Sequence, residues 1–316
     1  MKREKRLNKR VKTSIIVSAV TVFIVVALII TNFYIPVKYL FSYFVLRNKG
    51  AEEGVMRVRF LDVDYGDCII VELPDGKNML IDGGDGKTVH ESKILKTLNK
   101  CDIKTIDYLF CSSFRREYCG GLEEIIKYKS VKNIYMPDIA NTYVTNEYNK
   151  FVLAANASKA EVYLNRFGAG KEGGDYFFAV LNSGDSAVIW LEYAGAGFLF
   201  TSSAKRDVGA KIADGYLISK AFGESYCKVG NHFVNLENCK VLQLSNHGAS
   251  DGAAIPLFEL ADPDYLVISV GKNGEGLPSM DALSLVLSQE NKELFRTDEE
   301  GDITFSVYGD GTISKN

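Results

Sequence analysis

Histidine is scarce in this sequence: His90, His232 and His247 are the only three in 316 residues. That leaves few imidazoles for a metal centre or for acid–base chemistry. The six cysteines (Cys68, Cys101, Cys111, Cys119, Cys227, Cys239) form no C-x-x-C pair, which weighs against zinc-ribbon and redox readings. No G-x-S-x-G nucleophile elbow is present, and no P-loop, Rossmann glycine pattern or zinc-finger spacing. There is no internal repeat and no low-complexity tract. Proline is rare, at six residues, while 47% hydrophobic residues and 28 glycines make a globular composition.

Charge is unevenly spread. Residues 1–12 carry seven bases and one acid, whereas residues 51–316 carry 27 bases and 39 acids. So acidic an outer portion repels phosphate backbones, which counts against nucleic acid as its partner. Between these parts, residues 13–35 contain no charged residue. A run of about 20 apolar residues crosses a bilayer core of about 30 Å. The run therefore predicts a transmembrane anchor, with Phe33 and Tyr34 in the interfacial belt. The basic block 1–12 predicts a cytoplasmic tail and an outward C-terminal domain. A cleaved signal peptide is the rival reading. The apolar run is too long for one, and no good small-x-small cleavage site follows it. Residues 36–55 read as a juxtamembrane segment and linker, with Val37–Leu46 lying along the membrane surface. The expectation is a single-pass protein of a bacterial cell membrane.

The remainder, residues 56–316, reads as one domain. Val58–Val63, Cys68–Leu73 and Met79–Ile81 are short apolar runs. Pro74-Asp75-Gly76-Lys77 between the last two is a hairpin signal. A helix is expected at Ser92–Asn99, a strand at Ile106–Cys111, a helix at Gly121–Tyr128, a strand at Val131–Met136 and a helix at Val144–Ala157. Strands follow at Glu161–Leu164, Tyr176–Leu181, Ala187–Tyr193 and Phe198–Thr201. Gly168–Gly174 reads as a flexible loop. Ala204–Ala221 reads as a helix, and a hairpin around Tyr308–Gly311 ends the chain. Strands interleaved with helices in both halves suggest two sheets covered by helices. Cys68 and Cys111 sit inside apolar runs as core residues; a disulfide is compatible with the sequence but cannot be paired from it.

Several strings then match a family in order and spacing: Phe60-Leu61-Asp62-Val63, Gly66-Asp67, Leu80-Ile81-Asp82-Gly83-Gly84-Asp85, Gly120-Gly121-Leu122, Phe198-Leu199-Phe200-Thr201, His247-Gly248-Ala249-Ser250 and Val267–Gly271. Over about residues 56–308 the chain resembles the metallo-β-lactamase-like domain of the ComEC competence-protein type. The resemblance implies an α+β fold, an αββα sandwich with a dinuclear metal cleft at one edge of its sheets. Here the N-terminal transmembrane helix would precede it.

The family's ligand motif T-H-x-H-x-D-H-x-G-G aligns with Ser112–Gly121. The three histidine positions become Ser113, Arg115 and Tyr118, and the aspartate becomes Glu117. The Gly-Asp after the later strand becomes Ser202-Ser203. His-His-Gly becomes Asn246-His247-Gly248, and Gly-His-Pro becomes Gly276-Leu277-Pro278. Together with Asp82, the positions Ser113, Arg115, Glu117, Tyr118, Ser203, Asn246, His247 and Leu277 would outline a vestigial cleft. Of the implied ligands only Glu117 and His247 could still bind. A guanidinium at Arg115 repels a divalent cation, by about 8 kcal/mol for bare charges ~4 Å apart at an effective dielectric of ~20. The expectation is no metal ligand, no catalytic residue, no cofactor and a lost zinc site.

Other chemistry is weaker. His90 reads as a surface residue, His232 as structural, and His247 as a buried, hydrogen-bonded histidine. Ser113 or Ser203 with His247 as base would still need an orienting acid. Asp62, Asp64, Asp67, Asp82 and Asp85 could bind a hard cation, but Asp beside Gly is ordinary turn chemistry. The leading reading is a membrane-anchored, catalytically inactive pseudohydrolase that serves as an extracytoplasmic binding or scaffolding module. A protein or a small anionic ligand is the expected occupant of its cleft. The rivals are a metal-dependent phosphodiesterase- or nuclease-like hydrolase with an unusual site, and a DNA-uptake accessory related to ComEC.

Overall fold

The computed structural model describes residues 13, 14, 16–27, 29, 52–139, 144–252, 254–289 and 291–316. The basic tail 1–12 and most of the juxtamembrane segment 36–55 lie outside them. The described residues among 13–29 are helical, and apolar side chains there such as Val22, Phe23 and Ile29 are exposed. Among the described residues no helix is long and apolar enough to cross a membrane.

From residue 55 the elements run β1 (Val55–Phe60), β2 (Ile69–Glu72), β3 (Asn78–Ile81), α1 (Thr88–Lys100), β4 (Thr105–Phe110), α2 (Arg116–Cys119), α3 (Leu122–Tyr128), β5 (Ser130–Pro137), α4 (Asn146–Ala157) and β6 (Glu161–Asn165). The second half runs β7 (Gly170–Glu172), β8 (Tyr176–Val180), β9 (Ile189–Tyr193), β10 (Ala196–Phe200), α5 (Arg206–Ala221), β11 (Lys228–Val229), β12 (His232–Phe233), β13 (Cys239–Gln243), α6 (Ile255–Ala261), β14 (Tyr265–Ile268), α7 (Met280–Leu287), β15 (Glu293–Arg296), α8 (Thr297–Glu300), β16 (Ile303–Tyr308) and β17 (Ile313–Lys315). One sheet has eight strands in the order β17-β16-β1-β2-β3-β4-β5-β6, and the other has seven, β15-β14-β13-β10-β9-β8-β7. β11 and β12 form a separate short pair.

The strand period of two builds the layers. In β10, Phe198 and Phe200 join the core between the sheets while Leu199 faces outward to the helices. In β5, Tyr135 faces the intersheet core, and Ile134 and Met136 face the helices. Helix α1 covers the first sheet through Ile94 and Leu98, α3 through Leu122 and Ile125, and α4 through Phe151. Helix α5 covers the second through Ile212 and Tyr216, and α6 through Leu257 and Phe258. Each such aromatic or aliphatic side chain contributes about 1.5–3 kcal/mol by leaving water. The result is a mixed α/β sandwich of four layers, helices outside and sheets inside.

Two expectations need correction. The first helix begins at Thr88, not Ser92, because a turn stabilised by the Asp85 carboxylate accepting from Lys87 N (3.0 Å) launches it early. Gly168–Gly174 is not merely a loop: Gly170–Glu172 is strand β7, paired with β8 through Gly170↔Ala179. A side chain at Gly170 would stand 2.1 Å from the Phe178 carbonyl oxygen, so only glycine lets these backbones meet. The six cysteines are all free thiols, and Cys68, Cys111 and Cys119 are buried.

Candidate functional site

Strands β3, β4 and β5 run parallel, as do β10, β13 and β14. Their carboxyl ends therefore deliver loops to one edge of the sandwich, where open α/β sheets bind ligands. Asp82 follows β3, Ser112–Cys119 follow β4, Ser202 and Ser203 follow β10, Asn246 and His247 follow β13, and Ser269–Pro278 follow β14. Hydrogen bonds tie these loops together. Arg115 Nη1 donates to Asn246 Oδ1 (3.2 Å), Asn246 N donates to Ser202 O (2.6 Å), and Ser279 N donates to Gly248 O (2.9 Å).

Glycine makes the approach of the first loops possible. A Cβ on Gly120 would lie 2.4 Å from the Asp85 carbonyl carbon and 2.6 Å from Gly86 N. One on Gly121 would lie 2.4 Å from Gly83 O. The glycines that close the motif thus pack backbone against backbone, a role that needs no metal.

Beneath these loops is a buried polar group. Asp82, fully buried with φ 63°, accepts from Ser112 N (2.7 Å) and from Ser112 Oγ (2.6 Å) through its two carboxylate oxygens. Burial, with the Asp67 charge beside it, holds its carboxyl well above the usual carboxylate range. Asp67 accepts from Gln243 Nε2 (2.7 Å) and stands 3.4 Å from His247 Nδ1. Burial pushes its carboxyl up to about 7; the Gln243 hydrogen bond opposes the rise and the nearby Glu117 charge adds to it. The sequence marks Asp67 in the Gly66-Asp67 string and in the acidic cluster beside the cleft, but gives no sign of its partner Gln243. They are 176 positions apart, so no local spacing links them.

His247 occupies the left-handed region (φ 55°) and is buried. Its Nδ1–H donates to Ser269 O (2.7 Å), which leaves Nε2 as the bare nitrogen of the neutral ring. Burial lowers its pKa. Tyr118 stacks on it, centroids 5.4 Å apart and planes 19° apart, and Tyr65 leans on it at 4.6 Å and 49°. Tyr118 is fully buried, and its hydroxyl lacks a hydrogen-bond partner among the described residues, as does His247 Nε2. Burial raises the Tyr118 phenol far above its ordinary range, with Asp67, Glu117 and Asp82 adding to the rise. Burial and the charges of Glu275 and Glu117 push Tyr65 up to about 12.

The cleft residues thus divide. Asp82, Arg115, Glu117, Tyr118, Asn246 and His247 gather around one another. Ser113 and Ser203 lean instead toward Ser186, through a β-bridge and a 3.0 Å hydroxyl bond. His247 hydrogen-bonds neither serine, so the structure assembles no Ser–His pair. Leu277 lies in the next loop, its N held by Asn273 Oδ1 (2.9 Å) and its bond to Pro278 cis. Tyr118 is a correction to the expectation that the cleft offers it to a ligand: it is packed away. His90 is another, because its Nδ1 sits 2.7 Å from Asp85 Oδ1 with the side chain largely covered. His232 stacks on Phe177 at 4.9 Å. Asp62, Asp64 and Asp85 accept backbone N–H bonds within turns or from neighbouring loops, as turn chemistry implies.

A dinuclear metal centre needs imidazoles and carboxylates converging with free lone pairs. His247 offers only the lone pair of Nε2, in a ring buried against Tyr118, and Asp82, the carboxylate lodged beneath the loops after β3, accepts from Ser112 through both of its oxygens. Among the described residues no group of three or more His, Cys, Asp or Glu side chains could hold a metal ion. The residues present do not fit such a centre.

No protein-family model matches the chain, and no significant match is found among curated proteins. Solved structures similar to it include CmlA, a diiron β-hydroxylase from Streptomyces venezuelae, at 11% identity and TM-score 0.49, covering 81% of this chain and 55% of that one. A metallo-β-lactamase from Pontibacter korlensis is similar at 14% identity and TM-score 0.35, covering 56% of this chain and 87% of that one. One from Hirschia baltica is similar at 15% identity and TM-score 0.33, covering 55% and 84%. The chain spans about half the length of the CmlA structures it matches.

Proposed function

We propose that this chain is a membrane-anchored pseudohydrolase of the ComEC-related type. Its outer domain acts as an extracytoplasmic binding or scaffolding module and does not hydrolyse substrate. The observation that carries this reading is the ring of Tyr118, buried flat against His247. An aromatic ring there excludes solvent from the only histidine of the cleft, and a scaffold needs only the packed fold. Arg115, joined to Asn246 across the cleft mouth, leaves a polar rim suited to a protein surface or a small anionic ligand. The uncharged run 13–35, with basic residues before it, supports the anchor and its orientation.

The test is turnover of an activated phosphodiester and of a cephalosporin by the full chain, with added Zn²⁺ or Mn²⁺. Rates at the protein-free background are expected. Metal-dependent turnover lost in His247→Ala would sink the proposal in favour of a hydrolase with an unusual site.

A further inference from the structure

The outermost strand of the first sheet, β6, reads Glu161-Val162-Tyr163-Leu164-Asn165. It pairs in parallel with β5 on one side, and among the described residues no strand lies against its other side. Such an edge presents a row of N–H and C=O groups ready to pair with another chain. Natural edges are usually blunted with charge, proline or a bulge. Here the three central residues are Val162, Tyr163 and Leu164, exposed by 41, 36 and 37%.

The side chains arrive at this edge in an ordered way. Phe110, Tyr135 and Tyr163 sit directly opposite one another on β4, β5 and β6. Their rings stack successively, at 4.4 Å and 12° and then at 5.0 Å and 18°. This aromatic row runs out to β6 and stops with Tyr163 exposed.

We propose that β6 is a homodimerisation edge. A second copy of the chain pairs with it antiparallel, about a two-fold axis through Tyr163, so that two eight-stranded sheets become one. The sequence selects both occupant and alignment. A two-fold axis normal to a sheet keeps every side chain on its own face, so the axis must pass through a residue position. Centred on Tyr163, it sets Val162 opposite Leu164, Glu161 opposite Asn165, and Tyr163 opposite its own copy. Like meets like, no two charges of one sign face each other, and the aromatic row continues into the second molecule. Centred on Val162 it would set Glu161 against Tyr163; centred on Leu164 it would set Val162 against Arg166. A five-residue strand pair covers less than the ~1,600 Å² of a standard interface, so the dimer is weak and concentration-dependent. The inference does not depend on the absence of catalysis.

Cysteine cross-linking of the full chain tests it. Under mild oxidation, protein carrying Val162→Cys mixed with protein carrying Leu164→Cys is expected to form a covalent dimer several-fold faster than either variant alone. It should also outpace a Val89→Cys control on the exposed face of α1. A mixture no faster than that control overturns the proposal. In sedimentation velocity the chain is expected to dimerise as concentration rises through the micromolar range, and Tyr163→Lys to remain monomeric with an unchanged circular dichroism spectrum. A dimer that survives Tyr163→Lys, or a chain that stays monomeric and binds only foreign extended peptides at β6, overturns it as well.

Discussion

Tyr118 lies flat on His247, their ring centroids 5.4 Å apart, and neither the phenol oxygen nor Nε2 of the imidazole has a hydrogen-bond partner among the described residues. The stack joins the loop after β4 to the loop after β13, and so ties the first sheet to the second.

The buried hydroxyl makes a sharp expectation. Removing an unpartnered buried hydroxyl while keeping its ring is neutral or stabilising by up to about 1 kcal/mol. Tyr118→Phe should therefore leave the urea midpoint unchanged or raise it, whereas Tyr118→Ala should lose about 3–5 kcal/mol through the cavity it opens. A Phe variant destabilised by more than about 1 kcal/mol would mean that the hydroxyl is bonded in solution.

Asp67 makes stability depend on pH. Its carboxyl is raised to about 7 in the folded chain, against about 3.9 when unfolded. The folded state thus holds the extra proton, and the associated stability is complete below about pH 3.9 and lost as pH rises through about 7. Asp67→Asn has no charge to bury. Relative to the parent it should gain on the order of 1–3 kcal/mol between about pH 5 and about pH 8. His247, with its lowered pKa, acts in the opposite direction and stands 3.4 Å from Asp67, so the two titrate together and the comparison is repeated on a His247→Gln background to isolate Asp67. Parallel pH profiles would show that Asp67 is already ionised at pH 5.

Gly120 tests the backbone contact between the site loops. Adding a methyl group 2.4 Å from the Asp85 carbonyl carbon must push the two loops apart. Gly120→Ala should destabilise the domain by about 1–3 kcal/mol in chemical denaturation. Gly76→Ala, in the open turn before β3, has nothing within 4 Å of its added Cβ and carries only the strain of its φ of 78°. Equal losses in the two variants would argue against the contact.

Topology can be read in cells. Alkaline phosphatase fused after Asn316 should be active if the domain faces outward, and inactive if the basic tail does. Removing residues 1–35 should release the fusion from the membrane fraction. Retention there would refute the anchor.

Much of this architecture was readable in the sequence, and the exceptions have physical causes. Alternation marks β10, where Phe198 and Phe200 face one core and Leu199 the other. The first turn of α1 is not legible in the sequence because Thr88–Ser92 has no apolar period and no side-chain cap. Strand β7 is not legible either, because its glycine-rich sequence looks like a loop until β8 is beside it. In the site, the strings point to the loops that converge, those after β3, β4, β10, β13 and β14. They could not reveal that Tyr118 turns inward, since an aromatic residue in a polar loop packs or projects according to tertiary space alone. The Asp67–Gln243 bond was hidden for a related reason: a buried carboxylate is recognised by a partner that only the fold brings near.

The most direct test of the whole reading is the metal content of the full chain, purified without chelator from medium supplemented with zinc and manganese, and measured by inductively coupled plasma mass spectrometry. A cleft closed by Tyr118 on His247, with Asp82 committed to Ser112, predicts transition metal far below one ion per chain. Two tightly held zinc or manganese ions per chain, retained through dialysis and lost in His247→Ala, would contradict it.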